Sequence, residues 1–321
     1  MDSLNSKGWP PERQRVSSFV GDVRPEGEAA SVIHSIGMAE WHIGAEETND
    51  VERVVKSLSE KNTLHARRNF DDPAYDILDT EYDQPRVRYR GSRDYSETVH
   101  STSFRQVATD WYLFSERSWL VRPVTADETG RHVGEAYRAE GLVLVHTESD
   151  GIIGEMVLTR DAVAARPTAF PGLEADYTRD LETALHRHDA LLAAYVDGNI
   201  DTILESFAND YSMLARNYFS PGPHAVDFKG SQEVRGHLSN MFSAVDVLGV
   251  TVLNRIVTEW YIFAEMDWRI RVKAPLEDSG AESGNVAHYR TTAMYRRSGN
   301  GRLAGELGYG TPIRTLPEAA K

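Results

Sequence analysis

TDWYLFSERSWLVR, residues 109–122, and TEWYIFAEMDWRIR, residues 258–271, are one stretch written twice, 149 positions apart. Thr, Trp, Tyr, Phe, Glu, Trp and Arg fall at the same places in both. Dense aromatic and β-branched content behind a turn-like start predicts a long strand entered from a hairpin. Its recurrence at domain-sized separation implies two copies of one fold. At the same spacing DVERVVKSL (50–58) lies on NIDTILESF (199–207), each a short amphipathic helix with apolar residues at i, i+3 and i+4. Ala66-Arg67 lies on Ala215-Arg216, and Phe70 on Phe219. Beyond residue 122 the register slips by a few residues, so that Tyr137-Arg138 is expected to meet Tyr289-Arg290 and Gly154-Glu155 to meet Gly305-Glu306. Each unit is far longer than a solenoid repeat and able to bury a core of its own.

Composition supports that reading and narrows the partners. A chain of 321 residues has room for two ordinary domains, and 40% hydrophobic with 26% charged residues is the balance of a soluble globular protein. There are 35 basic against 49 acidic side chains, a formal charge of -14, which repels phosphate backbones and argues against nucleic acid as a partner. With no cysteine, disulfides, thiolate zinc sites and cysteine nucleophiles are all removed. The first thirty residues carry no apolar core of signal-peptide length, and no later run would span a bilayer. The expectation is a cytoplasmic protein with no membrane partner.

Taken in order, residues 1–30 read as a flexible arm rich in Pro, Gly, Ser and charge. The first domain is expected over 31–160, a linker with two prolines over 161–177, and the second domain over 178–316. In the first, a helix from Glu28 to about Glu46 would present Val32, Ile36, Ala39 and Ile43 as one stripe. A short helix from Asp50, a third capped by Asp83, and strands near 98–108, 111–122, 133–147 and 152–160 follow. The second domain repeats the order, with helices over 179–196 and 199–208 and a third from Ser231, capped by its own hydroxyl. Helices first and a curved antiparallel sheet afterwards define an α+β fold. The expected architecture is two tandem cone-shaped α+β barrels, an internal pseudo-dimer in one chain, each with a cavity at its open end; self-association of whole chains stays open.

HDALLAAYVDGNIDTILESFANDYS (188–212), then DFKGSQEVRGHL (227–238) and the aromatic strand, resemble the nuclear-transport-factor-2-like superfamily and in particular its SnoaL-like branch. The resemblance covers about 130 residues of the second half and reaches the first half through the internal repeat. It implies the cone-shaped fold and leaves activity wide, because members include isomerases, dehydratases, polyketide cyclases, epoxide hydrolases and non-catalytic binding modules. In ketosteroid-isomerase-like members the catalytic carboxylate position matches Ala66 and Ala215, the protonated acid falls near Val143 and Ala293, and the helix tyrosine matches His42 and Leu191. Ala, Val and Leu cannot perform that chemistry. Dehydratase-like members pair an aspartate ending the first helix with a histidine in the long hairpin, a base near neutral pKa held in its working tautomer. The second half has Asp197 but Val247 to Val250 where the histidine belongs; the first has His100, with Thr48 for the aspartate and Glu47 beside it.

His188 falls in the stripe of Leu181, Leu185, Leu192 and Tyr195 and should point toward the sheet, with His42 at the edge of the corresponding stripe. His100, His42, His188 and Asp197 are therefore the catalytic candidates. Arg67 and Arg216 are candidates to hold an anionic substrate group, and Tyr137 and Tyr289 to line its site. A repeated ion pair would explain the arginines and the repeated Glu116 and Glu265 equally well. His186 and His188 lie two apart on a helix and point apart, so no metal site and no cofactor are expected. The expected function is a cofactor-independent lyase or isomerase, dehydratase- or cyclase-like, acting on a hydrophobic cyclic or aromatic molecule by histidine-mediated proton transfer in one of the two cavities. The alternative is a non-catalytic small-molecule-binding or assembly module.

Overall fold

In the computed structural model the described residues are 28–48, 50–59, 64–69, 77–79, 96–125, 132–148, 151–159, 163–164, 175–216, 225–276, 281–298, 301–311 and 313–315. They divide into two compact units, Met1–Thr168 and Ala169–Lys321. Most of the expected arm and the third helix expected at Asp83 lie outside the described residues.

The first unit opens with α1 (Glu28–Glu47) and α2 (Val51–Ser57), followed by β1 (Leu64–Asn69) and β2 (Ile77–Asp79). Four longer strands come next: β3 (Ser96–Ala108), β4 (Tyr112–Pro123), β5 (Tyr137–Glu148) and β6 (Gly151–Thr159), with a short β7 (Val163–Ala164). Their order in the sheet is β2-β1-β6-β5-β4-β3, with β7 added on β5. The second unit has α3 (Ala175–Val196), α4 (Ile200–Glu205), β8 (Phe207–Arg216), β9 (Ala225–Lys229) and α5 (Gly230–Ala244). It continues with β10 (Val245–Val257), β11 (Tyr261–Val272), β12 (Val286–Arg297), β13 (Leu303–Gly310) and β14 (Arg314–Thr315). Its sheet, read from β9, runs β9-β8-β13-β12-β11-β10 with β14 on β12, which is the first order repeated strand for strand. The sheets are mixed rather than antiparallel throughout: β1 with β6, and β8 with β13, run parallel. After three reversals β6 runs opposite to β3, and it lies beside β1 in the same direction. Within the expected linker Val163–Ala164 pair with Tyr137 and Arg138, and α3 begins at Ala175.

The duplication extends to individual hydrogen bonds. Thr109 N–H donates to the Tyr112 carbonyl at 3.0 Å, and Thr258 N–H to that of Tyr261 at 2.9 Å. Trp111 and Trp260 carbonyls accept from Thr147 and Arg297, each at 2.9 Å. Asp50 caps α2 by accepting from Arg53 N–H, and Asn199 caps α4 by accepting from Thr202 N–H. Sheet register corrects one expected equivalence: Trp119 pairs with Ala139 whereas Trp268 pairs with Tyr289, so Tyr289 answers to Ala139 and not to Tyr137.

Two helix expectations also change. On α1 the buried side is Ser35, Met38, Ala39, His42 and Ile43, while Ile36 is exposed; the helix is rotated so that His42 is central and fully buried. Ser35 is accommodated there by a 2.7 Å hydrogen bond to Thr147 Oγ1. The start of α5 carries no side-chain cap from Ser231. Instead the Glu233 carboxylate accepts the Lys229 N–H at 2.7 Å, and Gly230 supplies a φ of 77° at the entry. Each unit has its own core. Met38, Ile43, Leu58, Leu113, Val145 and Ile152 meet in the first, and Leu191, Leu192, Ile203, Leu238, Ile262 and Ile270 in the second.

Candidate functional site

Inward-facing positions of the second sheet, covered by α3 and α5, enclose a cavity of about 70 Å³. On β13 the period of two brings Glu306, Gly308 and Gly310 to the same wall. A Cβ at Gly308 would stand 3.2 Å from Glu306 Oε1 and 3.5 Å from Ala215 Cβ, so the glycine keeps open the space beside the carboxyl. Tyr195 comes from α3, His237 and Met241 from α5, Trp268 from β11, and Tyr289 and Tyr295 from β12. Trp268 stacks on Tyr289 with ring centroids 6.0 Å apart and meets the edge of Tyr195 at 5.6 Å. Its Nε1–H donates to Thr291 Oγ1 at 2.8 Å, which holds the indole in place.

Glu306 is the one carboxyl among the described residues of that lining. Burial pushes it up to about 7, against the opposing pull of the Tyr211 hydroxyl, which donates to Oε2 at 2.7 Å. Burial, reinforced by the charge of Glu306, holds the Tyr195 and Tyr295 phenols well above the ordinary value, so both stay neutral donors. His237 is pushed down to about 4 by burial and is neutral near pH 7, with its ring 4.7 Å from that of Phe228. A carboxyl that titrates near neutrality in an apolar, aromatic hollow can both take and return a proton.

Among the described side chains singled out from the sequence, one lies at this cavity and the others fall elsewhere. Tyr289 lines the cavity. His188 is buried but borders a separate crevice with Arg187, Ser206 and Arg297. Arg255 donates to His188 Nδ1 at 3.0 Å and is itself paired with Asp189 at 2.6 Å. That contact occupies the Nδ1 lone pair and places the ring proton on Nε2; burial first, and then the Arg255 charge, hold the imidazole down at about 4. His188 is thus not available as a base. Asp197 is exposed at the end of α3, beside Gly198 at a φ of 64°, and serves as a turn residue. His100 is exposed on β3 with Nε2 2.9 Å from Thr102 Oγ1. Arg67 is exposed, and the Arg216 side chain lies outside the described residues. The Tyr137 hydroxyl accepts from His132 N–H at 2.8 Å and donates to Glu135 at 3.0 Å, tying a loop together. Glu116 pairs with Arg105, and at the same place in the second sheet Glu265 accepts from Asn254 at 2.6 Å, so that repeat is structural.

His42 belongs to a buried cluster in the first unit. Ser57 Oγ–H donates to the Val54 carbonyl at 2.5 Å, so the 2.6 Å contact between His42 Nδ1 and Ser57 Oγ has the imidazole as donor. The other nitrogen, Nε2, faces Glu155 Oε2 at 3.5 Å and Glu46 Oε1 at 4.0 Å. His65 Nδ1 lies 3.2 Å from the same Glu155 oxygen. Burial alone would raise the Glu155 carboxyl, but the hydrogen bonds and charge of His42 and His65 outweigh it and hold it well below the ordinary range. His42, Glu46 and Glu155 offer ligand atoms within 4.8 Å of one another. Glu155 sits opposite Val145 and Glu306 opposite Tyr295, the same position in the two sheets. The repeated Gly-Glu of the sequence was the available signal for both carboxyls.

Residues 188–306 match the family model described as a SnoaL-like domain. Among solved structures, one similar chain is a hypothetical protein with a ketosteroid isomerase-like fold from Catenulispora acidiphila DSM 44928, in complex with trimethylamine. It is 14% identical, with a TM-score of 0.32, covering 38% of this chain and 83% of that one. A putative polyketide cyclase from Xanthomonas campestris pv. campestris is 16% identical, with a TM-score of 0.33, over 40% of this chain and 91% of its own. An epoxide hydrolase of the LEH-like type from M. tuberculosis is 14% identical, with a TM-score of 0.31, over 41% and 85%. A search of curated proteins finds no match. No helix among the described residues is long and apolar enough to cross a membrane. The second unit is a SnoaL-like domain, and the first repeats its sheet strand for strand, making the chain a tandem protein of this α+β fold.

Proposed function

We propose that the second unit is the working half of a cofactor-independent lyase or isomerase, cyclase- or dehydratase-like, that moves a proton on a compact cyclic or aromatic molecule. The observation that carries this reading is Glu306, a carboxyl pushed up to about 7 at the wall of an aromatic cavity. Glu306 would take a proton from carbon and return it, while the neutral phenols of Tyr195 and Tyr295 or the neutral imidazole of His237 would donate to an oxygen gaining charge. Proton transfer thus passes from the histidines expected in the sequence to a glutamate, with His237 in a supporting place. The cavity volume of about 70 Å³ favours a small ring over an extended chain, and the flexible thioethers of Met213, Met241 and Met266 can yield room around it. A cytoplasmic setting is part of the proposal.

Deuterium exchange at the carbon beside the carbonyl of 2-cyclohexenone, followed by NMR in heavy water, tests this. The intact chain should accelerate exchange, and Glu306→Gln should lose about 10²–10⁴-fold, the usual contribution of general acid–base catalysis. Equal exchange by the two proteins would remove Glu306 from the chemistry. The packed trio of Tyr195, Trp268 and Tyr289 favours a second reading, a non-catalytic binding module. That reading predicts that 2-cyclohexenone perturbs cavity resonances while its exchange stays at the background rate.

A further inference from the structure

We propose that the first unit holds a divalent transition-metal ion between His42 Nε2, Glu46 and Glu155. The two units share a glutamate at one of three matching positions and differ at the other two. Where the first has His42, Glu46 and Glu155, the second has Leu191, Tyr195 and Glu306, by the repeat on the helix and the register of the sheet. Tyr195 and Glu306 line the aromatic cavity of the second unit, and their counterparts in the first, Glu46 and Glu155, are metal-ligand types.

Geometry favours coordination over a simple ion pair. His42 and Glu46 are i and i+4 on α1, hence on one face, and Glu155 approaches from β6. Donors bonded to a tetrahedral ion at about 2.0–2.2 Å stand roughly 3.3–3.6 Å apart. His42 Nε2 is 3.5 Å from Glu155 Oε2, already at that separation. Glu46 Oε1, at 4.0 Å, needs a shift of about half an ångström, which a side chain at the edge of the buried region can make. The supporting contacts are those a metal ligand needs. Ser57 accepts the Nδ1 proton of His42 and so leaves Nε2 to the ion, and His65 fixes the Glu155 carboxylate through the same Oε2. One imidazole and two carboxylates balance the charge of a divalent ion and suit Zn²⁺, Mn²⁺ or Fe²⁺. Three protein ligands leave a fourth position open, on the side where Glu46 is 23% exposed.

Titration of the full, chelator-treated chain with Zn²⁺ by calorimetry, and with Co²⁺ by visible absorption, tests the site. One ion per chain is expected. Glu46→Gln, at a partly exposed position that does not threaten folding, should weaken Zn²⁺ binding at least tenfold and alter the Co²⁺ spectrum. His42→Gln should abolish binding. The control Glu97→Gln, at a half-buried position on β3, should change neither. Absence of one-to-one binding in the parent chain, or binding unaffected by Glu46→Gln, would overturn the proposal and leave the cluster as a buried hydrogen-bonded ion network.

Discussion

Glu155 and Glu306 occupy one position of a duplicated strand and hold their protons oppositely. Two imidazoles keep the first ionised, whereas burial leaves the second titrating at about 7 from an ordinary value of 4.5. A folded-state value raised in this way favours the protonated native state, so the contribution is complete below pH 4.5 and is lost as pH climbs through 7. The span amounts to about 3 kcal/mol at most. His188 and His237, both held down at about 4 from 6.5, act with the opposite sign: their contribution is present above pH 6.5 and is lost as pH falls toward 4. The two effects overlap in the parent protein, and only a difference separates them. Glu306→Gln should melt close to the parent at pH 4.5 and at a higher temperature at pH 8, measured by calorimetry; equal melting temperatures at pH 8 would mean that the carboxyl is not strained by burial. Tyr211→Phe keeps the 3.7 Å stack on Phe207 but removes the bond that lowers Glu306. The pH midpoint of 2-cyclohexenone exchange should therefore rise, and an unchanged midpoint would detach Tyr211 from the acid–base group.

Among the elements, the helices and long strands were legible because their signals are local. Asp50 and Asn199 announce α2 and α4 one residue before they begin, and the aromatic alternation of β4 and β11 is visible in any window of ten residues. Replacing either cap by Ala should cost about 1 kcal/mol in denaturant unfolding. What stayed hidden was the parallel pairing of β1 with β6 and of β8 with β13. His65 meets Glu155 across 90 residues and Tyr211 meets Glu306 across 95, and no periodicity in the chain encodes such a meeting. Ala66 and Ala215 stand where a base after the second helix is expected, and the buried carboxyls Glu155 and Glu306 come from the last long strand instead. Gly151 shows how tightly that strand is docked. Its φ is 153°, and an added Cβ would lie 2.7 Å from both the Ser57 carbonyl oxygen and the Ser59 nitrogen, beside the 2.9 Å hydrogen bond from Ser59 N–H to the Ile152 carbonyl. Gly151→Ala should destabilise the first unit by about 2 kcal/mol or more. A neutral effect on thermal unfolding would show that α2 and β6 are free to separate there.

For the molecule as a whole, the consequence of duplication is that each half can change its interior while the other keeps its core. The first half spends buried volume on His42, His65 and Glu155, and the second spends the matching volume on aromatic rings around one glutamate. Such divergence requires that damage to one core stay local. Leu191 is fully buried in the core of the second unit and Ile43 is nearly so in that of the first. Truncation of either to Ala removes buried methyl groups and leaves a void, at a cost of about 2–5 kcal/mol. If the cores are energetically separate, Leu191→Ala should speed backbone hydrogen exchange in β10 to β13 and leave β3 to β6 unchanged, and Ile43→Ala should do the reverse. Hydrogen exchange read by mass spectrometry on the intact chain distinguishes this from a single cooperative unit, in which either substitution would raise exchange in both sheets together. That outcome would also forbid assigning the Glu306 stability term to one half alone, because a carboxyl strained in the second sheet would then be felt in the first.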